Sequence, residues 1–118
     1  MTIINSVEYR VYSAHNRFMI EEYLNGQYDS FRRAINADMS YFVGENFNAD
    51  FAAEATYVLT LHSDDTWTLA TFIGEEEVRE EAISASKVRH LFSVLAIEFR
   101  IRTIGEDVTT NYEYRATA

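Results

Sequence analysis

Alternation of apolar and polar positions is sharpest between Ala55 and Ile73, ATYVLTLHSDDTWTLATFI. Ala55, Tyr57, Leu59 and Leu61 fall on one side of an extended chain, with Thr56, Thr60 and His62 on the other. After Ser63-Asp64-Asp65-Thr66, the residues Trp67, Leu69 and Ile73 repeat the pattern. Period two, β-branched and aromatic enrichment and a polar turn together predict a β-hairpin. The other apolar faces of the chain are expected to bury against it.

Upstream, Thr2 to Tyr12 reads as a first strand, with Ile3, Asn5, Val7, Tyr9 and Val11 inward and Ile4, Ser6, Glu8, Arg10 and Tyr12 outward. From Ser13, a candidate N-cap, the spacing turns helical. Phe18, Met19, Ile20, Tyr23 and Leu24 make an apolar stripe that Gly26 would end as a C-cap. A second stripe, Tyr28, Phe31, Ile35, Met39 and Phe42, predicts a helix from about Gln27 to Val43, ended by Gly44. Two helices are preferred over one kinked helix, and Glu45 to Glu54 reads as a loop or short helical turn anchored by Phe47 and Phe51.

Downstream, Gly74 to Ile83 fits two readings. As a strand it sets Val78, Glu80 and Ala82 against Glu77, Arg79, Glu81 and Ile83; as a helix it gathers glutamates at an N-terminus, which suits the macrodipole. The reading adopted is a turn, a short strand and a helix from Ser84 or Ser86 that buries Val88, Leu91, Phe92 and Leu95. Ile97 to Arg115 then predicts a second hairpin around Gly105-Glu106-Asp107, with the N-terminal strand beside it. The expected fold is a single α+β domain over residues 1–118. It has a mixed or antiparallel sheet of about five to six strands carrying two N-terminal helical segments and one later helix.

Composition narrows the class. The chain has 118 residues, 47% of them hydrophobic and 14% aromatic, enough for a self-sufficient core. Without cysteine there are no disulfides, thiolate metal sites or cysteine nucleophiles, and without proline no isomerisation-limited folding phase is expected. No targeting segment or membrane span is legible, so a cytoplasmic protein of a bacterial or phage-infected cell is expected.

Motif chemistry is sparse. His15, His62 and His90 lie on separate elements without metal-ligand spacing, and no glycine belongs to a phosphate-binding loop. No serine sits in a nucleophile elbow. His62 beside Asp64 and Asp65 is read as a polar strand end rather than a hydrolytic or cation site. The tyrosines, Tyr9, Tyr12, Tyr23, Tyr28 and Tyr41 among them, lack the interleaved Lys and Arg of a base-stacking surface and are read as core or interface. No cofactor, metal site or catalytic residue is expected.

Charge is the feature that changes the picture. The formal net charge is −9, and Asn36 to Ser86 alone carries eleven acids and one base, whereas the flanking segments are nearly balanced. So many like charges repel one another, disfavour direct binding to nucleic acid or anionic membrane, and suit a basic partner. In size, acidity and lack of cysteine the chain resembles, in type and without an aligned motif, small bacteriophage inhibitors of host nucleic-acid machinery. Anti-CRISPR and anti-restriction proteins are among these, and some mimic DNA. The functional expectation is a non-enzymatic inhibitor that blocks a basic, nucleic-acid-binding surface, with Asp64, Asp65, Glu75, Glu76, Glu77, Glu80 and Glu81 as the partner contacts. Two alternatives stand beside it: a structural or assembly protein that associates with itself, as a homodimer or larger oligomer, and a small-ligand or enzymatic domain built on an unidentified carboxylate pair.

Overall fold

The computed structural model of the chain describes residues 2–14, 17–33, 55–94 and 101–107. Six strands form one antiparallel sheet: β1 (Val7–Ala14), β2 (Arg17–Leu24), β3 (Gln27–Arg33), β4 (Ala55–Leu61), β5 (Trp67–Ile73) and β6 (Glu76–Ile83). Their spatial order is β3-β2-β1-β4-β5-β6, so two three-stranded meanders are joined along β1 and β4. Among the described residues one helix, α1 (Ala85–Val94), follows β6.

The central hairpin forms as its alternation predicts. Leu59 faces Leu69 and Leu61 faces Trp67 across β4 and β5, with every second residue of β4 buried. The turn is closed by hydrogen bonds from Asp65 N–H to the His62 carbonyl (2.9 Å) and from His62 N–H to the Thr66 carbonyl (2.8 Å). Asp64 accepts from the Thr66 hydroxyl (2.6 Å) and amide (3.2 Å), so its carboxylate shapes the turn rather than serving His62. His62 instead pairs with the Thr68 hydroxyl at 2.9 Å.

The two predicted N-terminal helices are corrected to a hairpin. Residues 17–33 fold as β2 and β3, and 34–43, the rest of the second predicted helix, lie outside the described residues. The decisive signal is Asn25-Gly26. Both residues have positive φ, 53° and 78°, the conformation of a two-residue turn whose twist matches that of antiparallel strands. Read as a C-cap, Gly26 ends a helix; read with Asn25, it reverses a strand. The stripe Phe18-Met19-Ile20-Tyr23-Leu24 satisfies both periods, and the sheet takes Ile20 and Leu24 inward while Met19 and Tyr23 stay half-exposed.

The N-terminal strand also starts later than expected. Val7, Tyr9 and Val11 are buried, but ahead of the strand the parity reverses, so that Ile4 is buried and Ile3 is exposed. The predicted C-terminal hairpin falls mostly outside the described residues. Within them, 101–107 is a turn-containing segment joined to the N-terminus by an isolated bridge between Ile3 and Asp107.

Segment 74–83 is a strand after a turn, and the helix follows it. Ser84 caps α1: its hydroxyl accepts the Lys87 amide (3.2 Å) and its carbonyl accepts the Val88 amide (3.1 Å). Val88, Leu91 and Phe92 join Tyr9, Tyr57, Leu59, Trp67 and Leu69 in one core on the inner face of the sheet. Tyr9 lies at its centre, 5.0 Å from the Phe92 ring edge-on and 6.1 Å from the Trp67 ring in a stacked arrangement. No helix among the described residues is long and apolar enough to cross a membrane.

Candidate functional site

The acids singled out by sequence fall into two groups. Asp64 and Asp65 occupy the β4–β5 turn and Glu75 the β5–β6 turn, at opposite ends of β5. Seven extended residues separate these ends by about 23 Å. Glu76, Glu77, Glu80 and Glu81 lie along β6, which borders the sheet on one side. The structure therefore does not make one compact patch; it makes an acidic stripe along an edge strand with an acidic turn near each end.

Register decides how that stripe is displayed. β6 pairs Thr71 with Arg79 but Phe72 with Glu77, so Val78 is an extra residue in a bulge. The bulge moves Glu77 to the same side as Glu80 and Ala82, where strict alternation would oppose them. Glu80 then lies near Glu77 on one face, and the pairing of the two carboxyls, which favours a shared proton, raises the Glu77 carboxyl above its usual range. On the other side, Arg79 reaches Glu81 at 2.8 Å, an exposed pair of small energetic weight. A bulge and dense charge are also how an exposed strand avoids unwanted sheet extension.

The outer face of the sheet is patterned too. Arg10 is held by Glu8 at 2.6 Å and lies 4.1 Å from the centre of the Tyr23 ring. The hydroxyls of Tyr12 and Tyr23 both donate to Glu21, at 3.0 and 2.9 Å. Glu8 and Arg10 also border, with Val58, Phe72 and Glu75, an open hollow of about 340 Å³. Tyr28 and Phe31 on β3, at the opposite sheet edge, are exposed.

A second charged assembly, not anticipated from sequence, lies inside. Glu22 and Arg102 have side chains 2% and 1% exposed, with Arg102 Nε 3.8 Å from Glu22 Oε2 and its Nη1 3.6 Å from Glu106 Oε2. The Arg102 amide donates to the Tyr9 hydroxyl at 3.0 Å. Burial pushes the Glu22 carboxyl up to about 7; Arg102 and the hydrogen bond with Tyr9 oppose the rise, and Asp29 adds to it. Burial and the Glu22 charge likewise push the Tyr9 phenol well up. The signal for Glu22 was present in Ile20-Glu21-Glu22-Tyr23-Leu24: at period two, Glu22 lies on the apolar side with Ile20 and Leu24.

No group of three or more His, Asp or Glu side chains among the described residues is arranged to hold a metal ion. Comparison with protein-family models, curated proteins and solved structures finds no match to this chain. What geometry defines, among the described residues, is a class: a six-stranded antiparallel sheet with one covering helix, an acidic bulged edge and a buried ionic cluster.

Proposed function

We propose that the protein is a non-enzymatic binding protein that sets its acidic edge strand against a basic surface by which a partner grips nucleic acid. This would make it an inhibitor of the kind bacteriophages direct at such machinery. The observation that carries the reading is the display on β6, where Glu76, Glu77 and Glu80 are exposed on an edge strand whose one cation, Arg79, is already engaged by Glu81. An extended chain advances about 3.3 Å per residue. One strand of duplex DNA carries a phosphate about every 3.4 Å of axis. Because side chains alternate between faces, same-side acids such as Glu77 and Glu80 stand about 6.6 Å apart along the sheet, near the spacing of every second phosphate that a basic groove is built to receive.

The test is retention of partners from nuclease-treated bacterial lysate on the immobilised protein, eluted on a rising salt ladder. Recovery of a stoichiometric nucleic-acid-binding protein that leaves with salt, and that the E75K/E76K/E77K variant associates with far more slowly, supports the reading. Unchanged binding and salt dependence in the variant remove the edge from it. A second reading, self-assembly, draws on the exposed Tyr28 and Phe31 on β3. Concentration-dependent light scattering that is insensitive to salt would favour it.

A further inference from the structure

We propose that the hollow on the outer face of the sheet is a socket for one arginine side chain of a protein partner, with Glu8 and Glu75 receiving the guanidinium. The kind of partner, a basic protein, rests on the acidic-edge reading above; the socket adds where that partner is anchored.

Register places the walls. Arg10 faces Val58 across β1 and β4, and Thr56 faces Phe72 across β4 and β5, so all four stand on the side of the sheet away from Tyr9 and Leu59. Thr56 and Val58 make the floor, with Glu8 and Arg10 along one side and Phe72 and Glu75 along the other. Because β1 and β5 flank β4, the walls rise two strand spacings apart, about 10 Å. A single extended side chain fits between them. A helix, about 10–12 Å across with its side chains, does not.

The lining is apolar below and anionic above. Arg10 contributes its stem rather than its charge. Its guanidinium is drawn to Glu8 at 2.6 Å and lies 4.1 Å from the centre of the Tyr23 ring, on β2, across β1 from the hollow. Thr56, Val58 and Phe72 are half-buried. At the mouth, Glu75 is exposed with no cation beside it among the described residues, and Glu8 bonds Arg10 through one oxygen only. An apolar channel ending in carboxylates matches a hydrocarbon stem with a cationic head. An anionic ligand would meet Glu8 and Glu75 and be repelled. Arginine is favoured over lysine because its planar head lies flat on a ring such as Phe72 while it pairs with carboxylates. One arginine seated in a pocket is also the kind of anchor that dominates an interface.

The probe is N-acetyl-arginine-N-methylamide, titrated into the intact isotope-labelled chain and followed by NMR. The Val58 methyls, the Phe72 ring and the Glu75 amide should shift together and saturably, with a dissociation constant of order 1–10 mM. The citrulline analogue, alike in shape but uncharged, should bind roughly tenfold more weakly, and the lysine analogue should also bind less well. V58W fills the floor and should abolish the shift at Glu75. E75Q, at an exposed turn position, should weaken binding several-fold. Equal binding of citrulline or lysine, unchanged binding in E75Q, or shifts spread along β6 instead of around Val58 would each overturn the socket. Salt-ladder retention separates it from the acidic-edge reading. A nucleic-acid-binding partner held as tightly by V58W as by the wild type, but lost in E76K/E77K, keeps the edge and overturns the socket. A probe that seats at Val58 when no such partner is retained keeps the socket and removes the edge.

Discussion

At the scale of single residues, Asn25 carries more of the fold than its place in a turn suggests. Its side-chain oxygen accepts the amides of Asn5 (2.7 Å) and Ser6 (3.3 Å), and its side-chain nitrogen donates to the Ile3 carbonyl (3.0 Å). One amide group thus fastens the N-terminal approach to the β2–β3 turn. N25G keeps the backbone geometry and loses all three bonds, and should cost about 1–3 kcal/mol in urea unfolding. N25A should cost a further 1 kcal/mol or so, because a β-carbon is disfavoured at positive φ. Glu22 gives a prediction of another kind. Its folded-state pKa is raised, to about 7, so the native state binds more protons than the unfolded chain from the ordinary carboxylate range up to neutrality. Its contribution to stability therefore falls as pH rises through that window and is flat above it. E22Q should match the wild type most nearly in acid and gain on it toward pH 8, by an amount of order 1–3 kcal/mol in chemical unfolding. Glu22 was legible as an inward residue only after its segment was seen to be a strand, and Arg102 was not legible, since nothing local distinguishes it from Arg100.

At the scale of elements, legibility followed how many independent signals agreed. Residues 55–73 had alternation, composition and a turn in accord, and the strands lie where those signals put them. Residues 17–33 had an apolar pattern compatible with either period, and the outcome rested on the conformation of two residues, Asn25 and Gly26. The helix after β6 was readable because serine precedes a run with Val88, Leu91 and Phe92 at helical spacing. Replacing that cap, S84A, should cost about 1 kcal/mol and show first as lost amide protection in the opening turn of α1. The acidic stripe was legible as a count of charges but not as a display, because the bulge at Val78 depends on pairing with β5. That pairing is a property of two strands together, and no single segment encodes it.

At the scale of the whole molecule, net charge and topology each have a measurable effect. A chain of net charge −9, with Asp64, Asp65, Glu75, Glu76, Glu77, Glu80 and Glu81 set on one edge and two turns, is strained by self-repulsion, which salt screens. Thermal unfolding should therefore shift upward between low salt and about 0.5 M sodium chloride, and the shift should shrink in E75K/E76K/E77K. The sheet order has its own consequence. Within each meander, consecutive strands pair through short loops, or, from β1 to β2, across residues 15 and 16. Among the described strands, only the β1–β4 ladder joins distant stretches of chain, residues 7–12 to residues 56–61, with the isolated Ile3–Asp107 bridge beside it. Folding then divides into two fast local events and one slow encounter, in which a 27-residue half must find its partner in register. Seam substitutions such as V11A or Y57F should slow refolding nearly in proportion to the stability they remove, while changes on β3 or β6 should mainly hasten unfolding. The seam is where time is spent: before it forms the chain is two half-sheets, each with an unprotected interior edge, and the rate at which those edges meet sets how long they stand open to the wrong neighbour.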